Sequence, residues 1–320
     1  MTQSTRARIL SVGSFVPQNT LTNKDIEKIV NTSDDWIVAR TGIRQRHIVA
    51  KDEKTNAYEL GAKAATQALA RSGLNAEDID GIICATFTPD YFFPATACKI
   101  QHLLGCKNAF GFDVSAACSG FVYALSVARA MIDSGQYKTI LVVGTEIASK
   151  TLDWTDRGTC ILFGDGAGAV VLQAGSDMRQ GILSTYLYSD GALGDILYLP
   201  AWGENRFMKM NGGEVYKHAV RMMADAVKKG IEKAGIELSN VDLLIPHQAN
   251  IRIIKAMADH MNIPMDKVFC NVDRYGNTGS ASIPLALNEA WSEGRIKEGT
   301  LVVFTSLGGG LASGSAVVRF

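Results

Sequence analysis

The sequence lacks an excess of either charge, because 32 lysine and arginine residues balance 32 aspartate and glutamate residues. A formal net charge of zero argues against nucleic acid or an anionic membrane as the main partner. The sequence also lacks an apolar run long enough to span a bilayer, and it shows no signal-peptide pattern. We therefore expect a cytoplasmic protein that binds neither nucleic acid nor membranes.

Cysteine spacings typical of metal sites are missing as well. No CxxC pair occurs, and no paired histidines accompany the six cysteines, which are Cys84, Cys98, Cys106, Cys118, Cys160 and Cys270. Neither a zinc site nor a thioredoxin-like motif is indicated, and the pattern is typical of a reduced cytosolic chain. We expect no bound metal.

Two parts of the chain resemble each other over several segments in the same order. Residues 68–83 align without gaps onto residues 230–245. In each segment a helix ends at a glycine, Gly73 or Gly235, and an apolar strand follows a short turn. Two further matched pairs are 139–144 with 300–305 and 164–172 with 310–318. Several matches in one order indicate two copies of one α/β unit.

This repeat predicts an N-terminal half, residues 1–175, and a C-terminal half, residues 176–320. Within each half, helices alternate with short strands rich in Val and Ile, which predicts mixed, mostly parallel sheets with helices on both faces. Residues 181–213 look loop-rich and carry several aromatic side chains. We expect that segment to cover a substrate rather than to act as a linker.

One cysteine lies in a run of small residues where an extended segment turns into a helix. There, Cys118 would face the unpaired N–H groups and the positive end of the helix, which favour the thiolate and lower its pKa. Small neighbours also allow a substrate to come close. The alternative is that Cys118 packs in the core, because free cysteines are among the most buried residues.

Two polar residues of the C-terminal half follow a strand or precede a helix. His247 comes directly after the apolar residues 241–246, at the strand end where open α/β sheets place ligands. Asn277 falls opposite the Cys118 region by the repeat offset, and a two-fold repeat would bring Cys118, His247 and Asn277 to one pocket. The alternatives are a structural histidine, and an Asn277 or Thr278 that merely caps the next helix.

Two glycine-rich runs lead to different predictions. The run Gly164-x-Gly166-x-x-Ala169 matches a dinucleotide fingerprint in form, but a strand-like segment follows it instead of a helix, which excludes that site. The glycines at 308–310 follow a buried strand, and their N–H groups can point at a substrate oxygen.

Together these stretches closely resemble the β-ketoacyl-acyl-carrier-protein synthase III family, condensing enzymes of the thiolase fold, over nearly the whole chain. The matching stretches are residues 32–37, 40–43, 116–121, 156–159, 246–250 and 273–278. The family's fold has two similar α/β halves in a five-layered α-β-α-β-α core. That architecture agrees with the repeat.

The resemblance implies a two-stage reaction. Cys118 would attack the thioester of a short acyl-CoA such as acetyl-CoA and carry the acyl group while CoA leaves. Malonyl-loaded acyl carrier protein would then lose CO2, and His247 Nε2 and Asn277 Nδ2 would stabilise the enolate. The N–H groups of Cys118 and Gly309 would form a second oxyanion hole. Fatty acid synthesis would begin with the 3-ketoacyl product, and no cofactor is implied because acyl-CoA is a substrate.

The resemblance also assigns binding residues. Trp36 and Arg157 would sandwich the CoA adenine. The pantetheine tunnel and the phosphate site would be lined by Thr32, Arg40, Gly212 and Asn250. Phe93 would enter the acyl pocket of a second subunit, which implies a homodimer. A basic patch for the acidic carrier protein would consist of Lys217, Arg252 and Lys255.

The chain departs from the family beside the glycine triplet. Residues 311–314 replace the common Phe-Thr-Trp-Gly, and Leu307 stands where an aromatic residue is common. Less bulk at this place predicts an acyl pocket that admits longer or branched primers. The alternatives are a priming or acyl-transfer enzyme of a secondary-metabolite pathway and a catalytically silent partner. A degradative thiolase is disfavoured because no cysteine follows Cys270.

Overall fold

Two sheets form the framework in the computed structural model, which describes residues 5–320. The strands of the first sheet are β1 (Arg6–Phe15), β4 (Gly81–Ala85), β5 (Phe110–Val114), β6 (Thr139–Glu146) and β7 (Gly166–Gly175). The strands of the second sheet are β8 (Gly181–Ser189), β11 (Leu243–Pro246), β12 (Leu301–Gly308) and β13 (Ala312–Arg319). Two short pairs are β2 (Thr20–Thr22) with β3 (Gln45–His47), and β9 (Leu197–Tyr198) with β10 (Lys209–Met210).

Helices cover and separate the two sheets. They are α1 (Asn23–Ile26), α2 (Asp34–Thr41), α3 (Ala57–Ser72), α4 (Thr96–Leu104), α5 (Gly120–Asp133), α6 (Arg157–Cys160), α7 (Gly212–Ala234), α8 (Ile251–His260), α9 (Val272–Tyr275) and α10 (Ser282–Ser292). The glycine ends predicted for α3 and α7 are confirmed, since Gly73 and Gly235 adopt left-handed φ angles of 73° and 66°. No helix of residues 5–320 is long and apolar enough to cross a membrane.

The two sheets share one strand order. The first runs β1-β7-β6-β4-β5, and the second runs β8-β13-β12-β11. In each sheet the first three strands are antiparallel neighbours and the next pair is parallel. A parallel bridge between Leu244 and Val268 stands where the first sheet has its fifth strand. This correspondence supports the division into residues 1–175 and 176–320, which stays a prediction.

Helices α5 and α10 form the middle layer between the two sheets. Phe121 and Leu125 of α5, and Ile283 and Leu287 of α10, are at most 1% exposed. These helices are apolar on more than one face because a sheet covers them on each side. Helices α3 and α4 cover the other face of the first sheet, and α7 and α8 lie outside the second. The predicted five-layered α-β-α-β-α core is thereby confirmed.

The prediction of a loop-rich segment over residues 181–213 is wrong for its first part. Strand β8 occupies Gly181–Ser189 and pairs antiparallel with β13. One face of β8 packs on α7, where Ser184 Oγ donates a hydrogen bond to Gly230 O at 2.6 Å. Tyr188 is exposed. A strand at a sheet edge, most of whose later side chains are only partly buried, carries the mixed polarity that resembles a loop in sequence.

Candidate active site

Cys118 lies in a sharp turn between β5 and α5. The Cys118 turn (residues 116–119) contains Ala117, whose φ of 46° is a left-handed conformation that costs about 1 kcal/mol in a residue with a Cβ. Ser119 Oγ donates a hydrogen bond to Ala312 O of the C-terminal half at 2.8 Å. A Cβ added at Gly308 would lie 2.7 Å from Cys118 N, so the end of β12 passes directly against this turn.

The surroundings of the Cys118 thiol are drier than the sequence suggests. Cys118 is 8% exposed, and burial, followed by the charge of Glu146, raises the pKa of its thiol to about 12. This direction is opposite to the lowering predicted from the helix start. In the resting site, burial and the neighbouring charge of Glu146 both favour the protonated thiol.

His247 directly follows β11 and is a neutral ring, because desolvation lowers its pKa to about 3. Its Nδ1 lies 2.6 Å from Ser282 Oγ, which also accepts a hydrogen bond from Gln248 N at 3.3 Å. Since the Ser282 hydroxyl accepts from Gln248 and still has its own proton to give, it donates to Nδ1. The proton of the neutral ring therefore sits on Nε2, which is free to donate.

The side-chain amide of Asn277 is oriented in a comparable way. Its Oδ1 accepts a hydrogen bond from Gly279 N at 2.9 Å, which leaves Nδ2 as the donor. Asn277 N donates to Leu162 O at 2.8 Å, and Gly164 N donates to Asn277 O at 3.0 Å. The Asn277 turn (residues 277–281) is thus fixed by a segment of the N-terminal half. Asn277 does not cap α10, which begins only at Ser282.

One cavity of about 1190 Å³ joins the three predicted catalytic residues. Cys118, His247 and Asn277 all line it, and so do Gly309 and Gly310 of the glycine triplet. Residues from distant parts of the sequence therefore meet at one concave site, which is the usual form of a small-molecule site. The neutral donors of His247 and Asn277 can serve a developing negative charge beside the sulfur.

Three predicted CoA-binding residues cluster on the wall of the same cavity. The guanidinium of Arg157 lies 4.7 Å from the ring centroid of Trp36, and that of Arg40 lies 4.9 Å from it. Arg157 also donates a hydrogen bond to Asn31 O at 3.0 Å. Trp36, which lies on α2, is thus held by one cation–π contact from its own helix and one from α6.

The other predicted CoA residues divide into two groups. Gly212 and Asn250 line the cavity, and Asn250 also caps α8 by accepting a hydrogen bond from Ile253 N at 3.0 Å. Thr32 is not part of the cavity wall. Its buried hydroxyl has no hydrogen-bond partner among residues 5–320. Phe93 also lies outside the cavity wall and is 87% exposed.

The predicted basic patch lies on the surface. Lys217, Arg252 and Lys255 are all exposed. The Arg252 guanidinium lies 5.4 Å from the Tyr216 ring centroid, and Lys217 Nζ lies 3.9 Å from Glu214 Oε2. The charge of Lys217 is therefore partly balanced by its own helix. Among residues 5–320, no group of acidic, histidine and cysteine side chains forms a metal site.

Sequence reasoning missed two residues that orient the catalytic groups, Ser282 and Gln248. Both occur in polar clusters near His247 and Asn277, but the clusters alone do not show which atoms meet. Gln248 is 1% exposed, and its side-chain amide bonds only backbone groups, namely the carbonyls of Pro246 and Phe269 and the N–H groups of Asn271 and Val272. It ties the loop of His247 to the segment that leads to Asn277.

Comparison with known proteins adds family information to this geometry. Two family models match, 3-Oxoacyl-[acyl-carrier-protein (ACP)] synthase III over residues 112–191 and its C-terminal counterpart over residues 231–320. Over 313 residues the chain is 49% identical to the beta-ketoacyl-[acyl-carrier-protein] synthase III of Aquifex aeolicus (strain VF5). That alignment covers 98% of this chain and 99% of the relative.

Solved structures agree with the sequence matches. The crystal structure of 3-oxoacyl-[acyl-carrier-protein] synthase III from Aquifex aeolicus VF5 matches with a TM-score of 0.94 at 46% identity, over 98% of this chain and 100% of that chain. The priming beta-ketosynthase from the R1128 polyketide biosynthetic pathway also matches with a TM-score of 0.94, at 33% identity over 100% and 98% of the two chains. The fold, the cavity and these likenesses lead to one conclusion: the chain belongs to the β-ketoacyl-[acyl-carrier-protein] synthase III family.

Proposed function

We propose that this chain condenses a short acyl-CoA primer with malonyl-acyl-carrier protein and releases CoA and CO2. The product is 3-ketoacyl-acyl-carrier protein, the first intermediate of fatty acid synthesis. The observation that carries the proposal is the convergence of Cys118 with the donors of His247 and Asn277 on one cavity. A secondary-metabolite priming enzyme is not favoured, because identity is 49% to a synthase III and 33% to the polyketide priming enzyme.

In the first stage, Cys118 Sγ attacks the carbonyl carbon of the acyl-CoA thioester. A new carbon–sulfur bond forms at Cys118, the bond to the CoA sulfur breaks, and the thiol proton ends on the released CoA. The carbonyl oxygen carries negative charge on the way, and we assign its stabilisation to the N–H groups of Cys118 and Gly309. Gly309 lines the same cavity as Cys118, which supports that assignment.

In the second stage, the malonyl group loses CO2 and leaves an enolate on the thioester oxygen. His247 Nε2–H and Asn277 Nδ2–H donate hydrogen bonds to that oxygen and so stabilise the charge as it develops. Neutral donors suit this step because the carboxylate departs without a proton being removed. The low pKa of His247, about 3, keeps the ring in this neutral donor form. The enolate carbon then attacks the acyl carbonyl carbon, the bond from that carbon to Cys118 Sγ breaks, and the released thiolate takes up a proton from water.

For binding of CoA, we assign the adenine to Trp36 and Arg157 at the cavity wall. Arg157 lies on the Trp36 ring, so an adenine between them has to take the place of a cation–π contact. Arg40, Gly212 and Asn250 line the remaining path toward Cys118. The role of Thr32 stays a prediction, which its unpartnered hydroxyl supports.

For protein partners, we assign the acyl carrier protein to the exposed cations Lys217, Arg252 and Lys255. A homodimer is the second assignment, and the 87% exposure of Phe93 supports it, because an aromatic side chain of that size is normally covered. Neither partner assignment is needed for the attack of Cys118 on acyl-CoA.

The width of the acyl pocket depends on Leu307 more than on the residues after the triplet. Leu307 lines the cavity, whereas Leu311 is fully buried in a cluster under α7 with Met223. The expectation of longer or branched primers therefore rests on Leu307 and stays a prediction.

Mass spectrometry after incubation with acetyl-CoA tests the proposed function. Wild type should gain one acetyl group, and Cys118→Ser should gain none. His247→Ala and Asn277→Ala should still be acetylated, while decarboxylation of malonyl-carrier protein falls by about 100-fold or more in each. The matched control is His260→Ala, an exposed histidine at the end of α8, which should behave as wild type.

Two outcomes would contradict this assignment. Absence of any adduct on wild type with a panel of acyl-CoAs would favour the catalytically silent alternative. Loss of acetylation with normal decarboxylation in the His247 and Asn277 variants would reverse the two roles.

A further inference from the structure

We propose that Glu146 is a positioning residue, a neutral carboxylic acid that donates its proton to Ser280 and so holds the Asn277 turn in place. The inference rests on the proposed function, because it concerns the donor of the decarboxylation step. Glu146 is the last residue of β6, belongs to the N-terminal half and is fully buried. Glu146 does not itself line the cavity, although it contacts Thr86, Phe87 and Thr88, which do. It reaches the Asn277 turn through Ser280.

The carboxyl of Glu146 lies among hydroxyl and N–H groups rather than cations. Thr88 Oγ1 donates to Oε2 at 2.7 Å, and Thr88 N and Thr86 Oγ1 each donate to it at 3.2 Å. Phe87 N lies 3.2 Å from both oxygens. Oε1 lies 2.6 Å from Ser280 Oγ, across the boundary between the halves. No lysine, arginine or histidine within the described range forms an ion pair with Glu146.

Counting protons at Ser280 indicates which group carries the acid proton. Ser280 Oγ lies 2.6 Å from Glu146 Oε1 and 2.8 Å from the carbonyl oxygen of Ala85. A hydroxyl has a single proton to give, and both an ionised carboxylate and a carbonyl can only accept. The two short contacts are both satisfied when Glu146 Oε1–H donates to Ser280, which in turn donates to Ala85.

The pKa of Glu146 agrees with this count. Burial raises it to about 7, although the hydrogen bonds from Ser280, Thr88 and Phe87 favour the charged form. The neutral acid is thus the main form below neutral pH.

The link from Glu146 to the catalytic amide is short. Ser280 is three residues after Asn277, and Gly279, between them, donates the hydrogen bond that orients the Asn277 amide. Gly279 has a φ of 57°, and a Cβ there would lie 3.0 Å from Glu146 Cγ. Glu146 therefore packs directly against the Asn277 turn. Ionisation would turn the single Ser280 proton toward the carboxylate and leave the Ala85 carbonyl without its donor, so the turn would shift. It would also bring a negative charge beside the site of the enolate.

Several other ionisable groups lie in the surroundings of Glu146 or of the catalytic cavity. Cys118 and Cys84 both feel Glu146, and burial raises the pKa of each thiol, so both keep their protons. Asp113 and Asp90 also act on Cys84, and their carboxylates accept hydrogen bonds from backbone N–H groups at the starts of α4 and α3. The pKa of His247 is near 3, so its ring stays neutral.

The pH dependence of single-turnover decarboxylation, with malonyl-carrier protein and acetylated enzyme, tests the inference. In wild type the rate should fall by about fivefold or more between pH 6.5 and 8.5, as Glu146 ionises. In Glu146→Gln, whose amide donates to Ser280 at every pH, the rate should vary by less than about twofold over that range. Ser280→Ala should lower kcat by about tenfold with little change in KM, since it removes the link itself.

Asp165→Asn is the matched control. Asp165 is equally buried, its pKa is raised to about 6, and it bonds Ser149 and Val49 instead of the Asn277 turn. This variant should keep the wild-type pH dependence of decarboxylation. An infrared spectrum gives a readout independent of turnover. The carboxylic-acid C=O band that titrates near pH 7 should be present in wild type and Asp165→Asn and missing in Glu146→Gln, whereas the band of Asp165, which titrates near pH 6, should be missing only in Asp165→Asn.

Three results would overturn the inference. They are a pH profile of Glu146→Gln that parallels wild type, an unchanged acid band in that variant, or a Ser280→Ala variant with wild-type kcat. Each can occur while wild type still forms its acetyl adduct, so failure here is distinct from failure of the proposed function.

Discussion

The Cys118 turn and the Asn277 turn lie at corresponding places in the two halves, each just ahead of a middle-layer helix, yet they are held by different forces. Backbone shape holds the Cys118 turn, through the left-handed Ala117 and the close approach of Gly308. Polar side chains hold the Asn277 turn, through Glu146 and Ser280. Steric fit, together with the hydrogen bond from Ser119 to Ala312, holds the proposed nucleophile, and hydrogen bonds hold the proposed donor.

Both turns receive their support from the opposite half of the chain. Gly308 and Ala312 of the C-terminal half contact the Cys118 turn. Glu146 and the segment around Leu162 of the N-terminal half contact the Asn277 turn. Because each half positions the proposed catalytic group of the other, the duplicated fold has one candidate site at the boundary between the halves instead of one in each.

Gly308→Ala should disrupt the steric support of the Cys118 turn, and we expect it to have the largest effect. The new Cβ would meet Cys118 N, Ala116 O and Ser119 N at 2.7, 2.8 and 2.9 Å, all backbone atoms that cannot rotate away. We expect acetylation to slow by about 100-fold, since a displacement of about 1 Å is sufficient for such a loss. The rate of adduct formation by mass spectrometry measures it, and a destabilisation of about 1–3 kcal/mol should accompany it in thermal unfolding.

The control for Gly308→Ala is Gly191→Ala. A Cβ at Gly191 meets nothing within 4 Å, so acetylation and stability should stay at wild-type values. Wild-type acetylation in Gly308→Ala would show that the Cys118 turn does not depend on the opposite half.

Ser282→Ala should remove the hydrogen bond that orients His247, and we expect a smaller effect. Without the Ser282 hydroxyl, His247 Nδ1 has no donor, and the ring can carry its proton on either nitrogen. Decarboxylation should therefore fall by about tenfold while acetylation of Cys118 is unchanged. Ser292→Ala removes a hydroxyl at the end of the same helix that bonds only Asn288 O, and it should change neither step. Equal loss of both steps in Ser282→Ala would indicate disruption of α10 instead.

The difference between the two turns also explains how much of the site can be predicted from the sequence alone. The meeting of Cys118, His247 and Asn277 in one cavity was predictable, because each stands at a strand end or helix start and the repeat relates those positions. Ser282 and Glu146 were not, since their roles come from contacts across 35 and 134 residues of sequence. The raised pKa of Cys118 was missed for the same reason, because burial depends on which distant segments of the chain cover the turn.

Secondary structure shows a similar division between local and distant causes. The caps at Thr22 and Ser33 have local causes, since each side chain accepts a hydrogen bond from the N–H group three residues ahead, that of Asp25 or Trp36. Strand β8 was mistaken for a loop because its partner, β13, lies more than a hundred residues away. An edge strand of this kind has little local signature beyond alternation.

Arg157→Ala should leave both turns intact and have the smallest effect, which separates binding at the cavity wall from chemistry at the turns. The guanidinium contacts Trp36 and Asn31 O and none of the residues that brace Cys118 or Asn277. Loss of one partly exposed cation–π partner is worth about 1 kcal/mol, so KM for acetyl-CoA should rise by about fivefold with kcat nearly constant. Steady-state kinetics measure the split, with Arg179→Ala, whose side chain is exposed and pairs with Asp177, as the control. A fall in kcat with unchanged KM would mean that the wall and the turns are coupled, because an interaction made only in the transition state affects kcat in that way.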